Sequence, residues 1–413
     1  MSNPTKRAAA VVLVSLGLAA SAIAFAAAGD DPPTIGINST SRAPSSRKVA
    51  RGGTVAADVI NGFDPRNYRC EGNFFVSDLK CENRAVLSLD AGLQSRLEGL
   101  FERFRVPYGA AVAIEPKTGR ILSYVSWSSV EQNAGDIALD ATAPAASVFK
   151  IVTAAALVDA RVSPEQRLCY QGGFRHLTLS DLVDDPRRDA YCASFEEAMG
   201  SSLNSVFAKL ADRHLSTRTI ERYASAFGFG HALPFDIRPP VSRAEIPGER
   251  LEFARTAAGF WHTYMSPLHG ALIASTIAND GAMPWVSMID RVIDKSDRVV
   301  HRFQPRTFRQ VVSRNTARIV GKMMQRTVTH GTARQAFYDS NGRAFLPGIA
   351  IAGKTGSLTQ PKPYRAYSWW VGYAPLDQPA IALAILVVNT PRWRIKASYA
   401  AREALRYYLV EKK

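Results

Sequence analysis

The placement of the apolar runs constrains this chain more than any other feature. Gly109-Ala-Ala-Val-Ala-Ile114 and Ile121-Leu-Ser-Tyr-Val125 flank a Pro116-Lys-Thr-Gly119 turn and read as a β-hairpin. Far downstream, Ile349–Ala352, Trp369–Tyr373 and Ile381–Val388 have the same strand-like character. Helical patterns fill the interval and both flanks. Leu93, Leu97, Leu100, Phe101 and Phe104 recur at helical spacing behind Asp90, a ready N-cap. An Ala-rich apolar helix covers roughly Val148 to Val158, and an amphipathic one closes the chain from about Ala397 to Leu409. A sheet buries a face and each such helix buries a stripe. Strands at both ends with helices between therefore predict an α/β (mixed α+β) fold: one mixed sheet in which N- and C-terminal strands pair, with an inserted helical lobe. No internal repeat is present.

The N-terminus bears on where the chain works. Lys6 and Arg7 precede an uncharged run from Ala8 to Ala28, closed by Gly29-Asp30-Asp31-Pro32-Pro33. This reads as an export signal or a single membrane anchor over residues 1–28. Ala24-Phe25-Ala26 offers a small-x-small cleavage site, and the absence of a following Cys argues against a lipid anchor. Residues 29–60, rich in Ser, Thr, Pro, Arg and Gly, read as a flexible linker. Residues 61–84 form a short Cys-bracketed segment, and 85–413 one enzyme-sized domain. The expected location is periplasmic or otherwise extracytoplasmic, with residues 8–28 in the cytoplasmic membrane if they are not cleaved. The formal net charge of +15 favours anionic polymers or membrane surfaces, and export sets nucleic acid aside.

Four cysteines, at 70, 81, 169 and 192, suit an oxidising compartment and permit three pairings. The local arrangement, Cys70–Cys81 with Cys169–Cys192, is favoured because each pair brackets a Gly-containing polar stretch. No CxxC or HxxxH spacing exists, so no metal is expected, and no cofactor either.

Ser-x-x-Lys occurs three times: Ser45…Lys48, Ser77…Lys80 and Ser147…Lys150. The first two lie in polar, turn-rich stretches where a lysine is simply solvated. Ser147 instead opens an apolar helix, on which positions i and i+3 share a face, so Lys150 can reach the Ser147 hydroxyl. Lys354-Thr355-Gly356-Ser357 follows the strand-like Ile349–Ala352 and can line a cleft with donors for a carboxylate, while Gly356 lets a substrate backbone approach closely. Lys117-Thr118-Gly119 repeats the tripeptide inside a turn, where it is bland. Ser202-Leu203-Asn204 sets a hydroxyl and a carboxamide two residues apart; Ser202 could equally cap the helix that contains Phe207. Ser313-x-Asn315 looks like a helix cap.

The order Ser-x-x-Lys, Ser-x-Asn, Lys-Thr-Gly-Ser resembles that of the penicillin-recognising serine acyltransferases. Over residues 85–413 the chain is similar to the penicillin-binding protein transpeptidase domain. Further similar stretches are Leu87-Ser-Leu-Asp90, Pro116-Lys-Thr-Gly-Arg-Ile-Leu122, Ser266-Pro-Leu-His269, Ala278-Asn-Asp-Gly281, Gly331-Thr-Ala-Arg334 and Trp369-Trp-Val-Gly-Tyr-Ala-Pro375. Two departures are visible: Pro144 stands three residues before Ser147, where many members carry Pro-Gly, and Ser357 replaces the commoner Thr.

The resemblance implies a β-lactamase/transpeptidase-like fold, with a central mostly antiparallel sheet flanked by N- and C-terminal helices plus a helical lobe. It implies a peptidoglycan D,D-transpeptidase that works through a serine acyl-enzyme and is inhibited by β-lactams. Ser147 would be the nucleophile, Lys150 its base and Ser202 a proton shuttle. Asn204 would hold the acyl donor, and Lys354, Thr355, Gly356 and Ser357 its carboxylate end. The partners would be peptidoglycan stem peptides, and a peptidoglycan glycosyltransferase. Three alternatives share the fold: a D,D-carboxypeptidase, a serine β-lactamase drawing on Glu245, Glu249 or Glu252, and a non-catalytic sensor of muropeptides or β-lactams.

Overall fold

The computed structural model describes residues 59–72, 74–172 and 176–412. The expectations for residues 1–28, and for all but the last two residues of 29–60, lie outside the described residues, as does Ser45…Lys48.

The expected sheet forms from β4 (Tyr108–Ile114), β5 (Ile121–Ser128), β14 (Ala352–Pro361), β15 (Tyr364–Ala374) and β16 (Ile381–Asn389). Their order is β14-β15-β16-β4-β5, and every neighbouring pair is antiparallel, so the sheet is not the mixed one that strands at both chain ends suggested. N- and C-terminal strands meet at β4–β16, with Ala111 opposite Ile385. All nine residues of β16 are buried, as befits a strand covered on both faces. This explains why Ile381–Val388 is a continuous apolar run rather than an alternating one.

Helices α1 (Ala91–Arg103) and α10 (Ala397–Arg406) cover one face. Leu93, Leu97, Phe101, Ala400 and Ala404 share a core there with Leu383, Ile385 and Val387. Asp90 caps α1, its carboxylate accepting from the Leu93 amide at 2.8 Å. The chain leaves α10 through a wider π turn, Tyr407–Glu411. The other face is covered by α7 (Pro267–Ala278), buried almost along its whole length. Gly270 lets it sit close, since a Cβ there would lie 3.0 Å from Ala384 Cβ and 3.2 Å from Val371 Cγ2.

The helical lobe comprises α2 (Lys150–Asp159), α3 (Phe195–Ser201), α4 (Asn204–His214), α5 (Thr217–Phe227), α6 (Arg250–Ala257), α8 (Arg314–Thr329) and the short α9 (Arg334–Phe337). Ser313 caps α8 through the Thr316 amide at 3.1 Å, as its sequence suggested. Two-stranded ribbons β6 (Arg167–Tyr170)/β7 (Tyr191–Ser194), β8 (Arg243–Ala244)/β9 (Thr263–Tyr264) and β10 (Ala282–Pro284)/β13 (Thr307–Gln310) edge the body. No helix among the described residues is long and apolar enough to cross a membrane.

Three features differ from the sequence reading. Lys354–Ser357 does not follow a strand at 349–352; it lies within β14, which begins only at Ala352. The polar run disguised the strand because β14 is an edge strand facing a cleft. Cys70 and Cys81 are unpaired and exposed, whereas Cys169–Cys192 is bridged, directly opposite across β6–β7. Cys70 in β1 (Arg69–Glu71) faces Phe75 in β2 (Phe74–Asp78), and Cys81 lies beyond the far end of β2. Phe75 to Asp78 alone spans about 10 Å at strand rise, past the roughly 7 Å Cα limit of a disulfide. Hydrogen bonding holds residues 61–84 instead: β1, β2 and β3 (Arg84–Leu87) join β11 (Ile289–Ile293) and β12 (Val299–Arg302) in one sheet.

Candidate active site

Ser147 sits in a single 3-10 turn, Ala146–Phe149, that runs straight into α2. The turn is held from several sides. Ala145 donates its amide to Thr263 O at 2.9 Å, and Trp369 of β15 donates its indole N–H to Pro144 O at 2.9 Å. Ala146 is left-handed (φ 49°), a costly conformation for a residue with a Cβ. Gly259 (φ 80°) lies so close that a Cβ would come within 2.5 Å of Ala146 O and 2.9 Å of Ser147 Cα. Gly356 does the same from β14, its would-be Cβ 3.2 Å from Val148 Cγ2 and 3.3 Å from Ala145 O. Strand β14 thus presses against the Ser147 turn, so Gly356 makes room for the chain's own backbone, where the sequence suggested room for a substrate's.

Lys150, one turn after Ser147, is fully buried. Its Nζ lies 3.0 Å from Ser147 Oγ and 2.6 Å from Asn204 Oδ1, and donates also to Ala258 O. The Phe207 ring is 5.4 Å away. Burial pushes the Lys150 pKa well below its ordinary value, and the neighbouring Lys354 pushes the same way. Lys354 is also fully buried, and burial lowers it to about 7. Its Nζ donates to Ser202 Oγ at 2.8 Å and to Thr355 O at 3.0 Å. Ser202 does not cap α4; it ends α3 in a left-handed conformation (φ 58°) that turns its hydroxyl toward Lys354.

The three motifs therefore converge. Lys150 joins Ser147 to Asn204, and Lys354 joins β14 to Ser202. Thr355 is half-buried and Ser357 is exposed, and two residues apart they share one face of the strand. The two competing motifs do not assemble: Ser77 is buried in β2 while Lys80 is exposed, and Lys117–Gly119 forms the β4–β5 turn.

Sequence reasoning missed several contributors. The Ala258 carbonyl, Gly259 and Phe207 surround the lysine and the nucleophile turn without any motif to announce them. Thr332 bonds hydroxyl to hydroxyl with Thr355; its segment Gly331-Thr-Ala-Arg334 resembled the family but suggested no role. Gly331 lets it in, since a Cβ there would strike Gly200 O at 2.0 Å.

The site thus joins a buried amine beside a hydroxyl, a second amine beside another hydroxyl, and a strand edge bearing two more hydroxyls. The model of the penicillin-binding protein transpeptidase domain matches residues 109–407, and the chain belongs to that family. Among curated relatives, the peptidoglycan D,D-transpeptidase PbpA of Mycolicibacterium smegmatis is 27% identical over 68% of this chain and 61% of its own length. Stage V sporulation protein D of Bacillus subtilis is 26% identical over 73% of this chain and 49% of its own. The chain thus spans about half to three-fifths of these relatives. Among solved structures, penicillin-binding protein A from M. tuberculosis, as an imipenem acyl-enzyme complex, is 23% identical with a TM-score of 0.66, covering 78% of this chain and 79% of that one. The D,D-transpeptidase domain of a peptidoglycan glycosyltransferase from Eggerthella lenta reaches 0.67 at 22% identity, over 87% and 91%. The fold is that of these transpeptidase domains.

Proposed function

We propose that this chain is a peptidoglycan D,D-transpeptidase acting through an acyl-enzyme on Ser147. The observation that carries the reading is the Lys150 amine, buried and held 3.0 Å from Ser147 Oγ, with burial and then Lys354 lowering its pKa well below the ordinary value. A serine hydroxyl is a weak nucleophile until a base takes its proton, and a free amine at this distance can do so.

Ser147 Oγ then attacks the carbonyl between the two terminal D-alanines of a stem peptide while its proton passes to Lys150. The backbone N–H groups of Ser147 and Ser357 take the oxyanion, with a worth of about 3–4 kcal/mol for such a donor. Lys354 and the Thr355 and Ser357 hydroxyls bind the terminal carboxylate. Ser202, bonded to Lys354, relays the proton taken up by Lys150 to the departing D-alanine nitrogen, receiving one as it gives one, so that Lys150 is again a free amine. Asn204 orients Lys150 through the 2.6 Å contact and borders the donor peptide. An amine from a second stem then attacks the ester carbonyl, forming the cross-link and returning Ser147. The PbpA relatives, named as D,D-transpeptidases, support this reading. It carries with it an extracytoplasmic location and a glycosyltransferase that supplies the strands.

The glutamates a β-lactamase would draw on are otherwise employed. Glu249 caps α6 through the Leu251 and Glu252 amides, Glu252 pairs with Arg255 and His262, and Glu245 is exposed. The test is labelling with a fluorescent penicillin, followed by mass spectrometry of the labelled peptide. Long-lived label on Ser147, lost in Ser147→Ala, is expected. Label released within seconds would turn the reading toward a β-lactamase, and no label on the folded protein toward a sensor.

A further inference from the structure

A cavity of about 400 Å³ lies on the α10 side of the sheet, walled by Thr332, Arg394, Lys396 and the edge-to-face rings of Phe104 and Tyr399. Two contacts tie it to the carboxylate end of the site. Thr332, in its wall, bonds to the Thr355 hydroxyl. Ser357 stands opposite Ser368, whose hydroxyl takes the amide of Ala397, the residue after Lys396. Opposed residues share a face of the sheet, so Thr355 and Ser357 look toward the cavity while Lys354 and Gly356 look toward the Ser147 turn.

The wall is built to present positive charge. Asn389 accepts the Arg394 amide at 2.8 Å and donates to Ile395 O at 3.2 Å. Ile395 is thereby buried, and its neighbours Arg394 and Lys396 are both exposed. Neither makes an ion pair among the described residues. Arg402, also in the wall, is already spent on Glu403 at 2.6 Å and on the Phe345 and Tyr399 rings.

We infer that this cavity holds the acceptor stem peptide, with Arg394 and Lys396 binding its carboxylates; the inference rests on the proposed transpeptidase function. The acyl-enzyme carbonyl is approached from the side the leaving D-alanine vacated, and that D-alanine's carboxylate end is Thr355 and Ser357. The acceptor must enter there, directly past the cavity. It is itself a stem peptide ending in a carboxylate. In the step it serves, the acceptor nitrogen bonds to the acyl carbon, the carbon–Oγ bond breaks, and the proton the amine loses ends on Ser147 Oγ.

The test measures both half-reactions in the full chain, using a fluorescent penicillin for acylation and a thioester donor peptide with a stem-peptide acceptor for transfer. Removing two exposed charge contacts should raise the acceptor KM about three- to tenfold in an Arg394→Ala/Lys396→Ala variant. Acylation should proceed at the parent rate, which also shows the variant folded. Amidating the acceptor's C-terminal carboxylate should raise KM in the parent and matter much less in the variant, and added salt should act likewise. An acceptor KM unchanged in the variant, or indifferent to amidation in the parent, would overturn the acceptor site. Failure of the parent itself to acylate at Ser147 would instead overturn the function it rests on.

Discussion

Replacing Lys150 by Met removes the amine and keeps an unbranched chain of similar reach. Three acceptors lose a donor: Ser147 Oγ, Asn204 Oδ1 and Ala258 O. Ser147 can turn its hydroxyl elsewhere, so the lasting structural cost is the latter two, about 1–3 kcal/mol each. Against this, the fold no longer has to bury an ionisable amine, a burden of several kcal/mol in its charged form. The two effects oppose, and the net change in stability should stay within about 2 kcal/mol. The chemical step has no such offset. Losing a positioned general base costs about 10²–10⁴ in rate, or roughly 3–5 kcal/mol of barrier. Stopped-flow labelling with a fluorescent penicillin should therefore slow about a thousandfold while the melting temperature moves by a few degrees. Lys150→Arg separates base from charge. A guanidinium keeps a cation at the site but does not give up its proton, so it should be as inactive as Met. A Met variant that labels at the parent rate, or an Arg variant within about tenfold of it, would refute the reasoning.

The pH profile of penicillin acylation should be bell-shaped. It should fall on the acid side as Lys150 is protonated, and above about pH 7–8 as Lys354, whose pKa lies at about 7, loses the charge that holds the carboxylate. Stability should run the other way: both lysines are depressed in the folded state, the unfolded chain binds more protons between about pH 7 and 10, and stability rises with pH there. Urea melts at pH 7 and pH 9 check the sign. Gly259→Ala should slow acylation at least tenfold and cost about 1–3 kcal/mol, because a Cβ would lie 2.5 Å from Ala146 O at φ 80°; parent-like labelling would show that the turn has room to yield. Iodoacetamide should modify Cys70 and Cys81 without reductant, and Cys169 and Cys192 only after it. A Cys169→Ser/Cys192→Ser variant, opening a bridge of sequence separation 23, should lose about 3 kcal/mol in a chemical melt.

Much of the fold was legible because its signals are local. The β4–β5 hairpin, Asp90 and Ser313 as caps, and the apolar strand β16 all announce themselves in runs of fewer than ten residues. The pairing of β4 with β16 followed from strands at both ends needing one sheet. The start of β14 was misplaced because an edge strand that lines a cleft carries Lys, Thr, Gly and Ser in place of apolar side chains. The site was legible where chemistry demands a side chain at a fixed interval, as at Ser147 and Lys150. It was illegible where the backbone does the work: the Ala258 carbonyl and the close approach of Gly259 are set by a loop whose path depends on tertiary packing. The Cys70–Cys81 expectation failed for a related reason, since spacing along the chain does not show that an extended strand separates the two.

Three lysines among the described residues are fully buried: Lys150, Lys209 and Lys354. Burial is therefore not what marks a lysine for chemistry. Lys209, five residues beyond Asn204 on α4, meets Asp189 at 2.7 Å and Asp184 at 3.2 Å, and donates to Cys169 O at 2.8 Å. Carboxylates compensate its charge, and it fastens α4 to the loop that the Cys169–Cys192 bridge closes. Among the described residues Lys150 and Lys354 hydrogen-bond only to hydroxyls, a carboxamide and backbone carbonyls, with the Phe207 ring beside Lys150. Neutral acceptors satisfy an amine's hydrogens without stabilising its charge as an anion does. An acid placed beside Lys150 would make the fold more comfortable and would hold the amine protonated, ending its use as a base. Under the proposed function, the lack of an acidic neighbour among the described residues is thus a requirement of the chemistry, met at a cost in stability. It also leaves Lys354 beside neutral acceptors, where a ligand's carboxylate can supply the counter-charge.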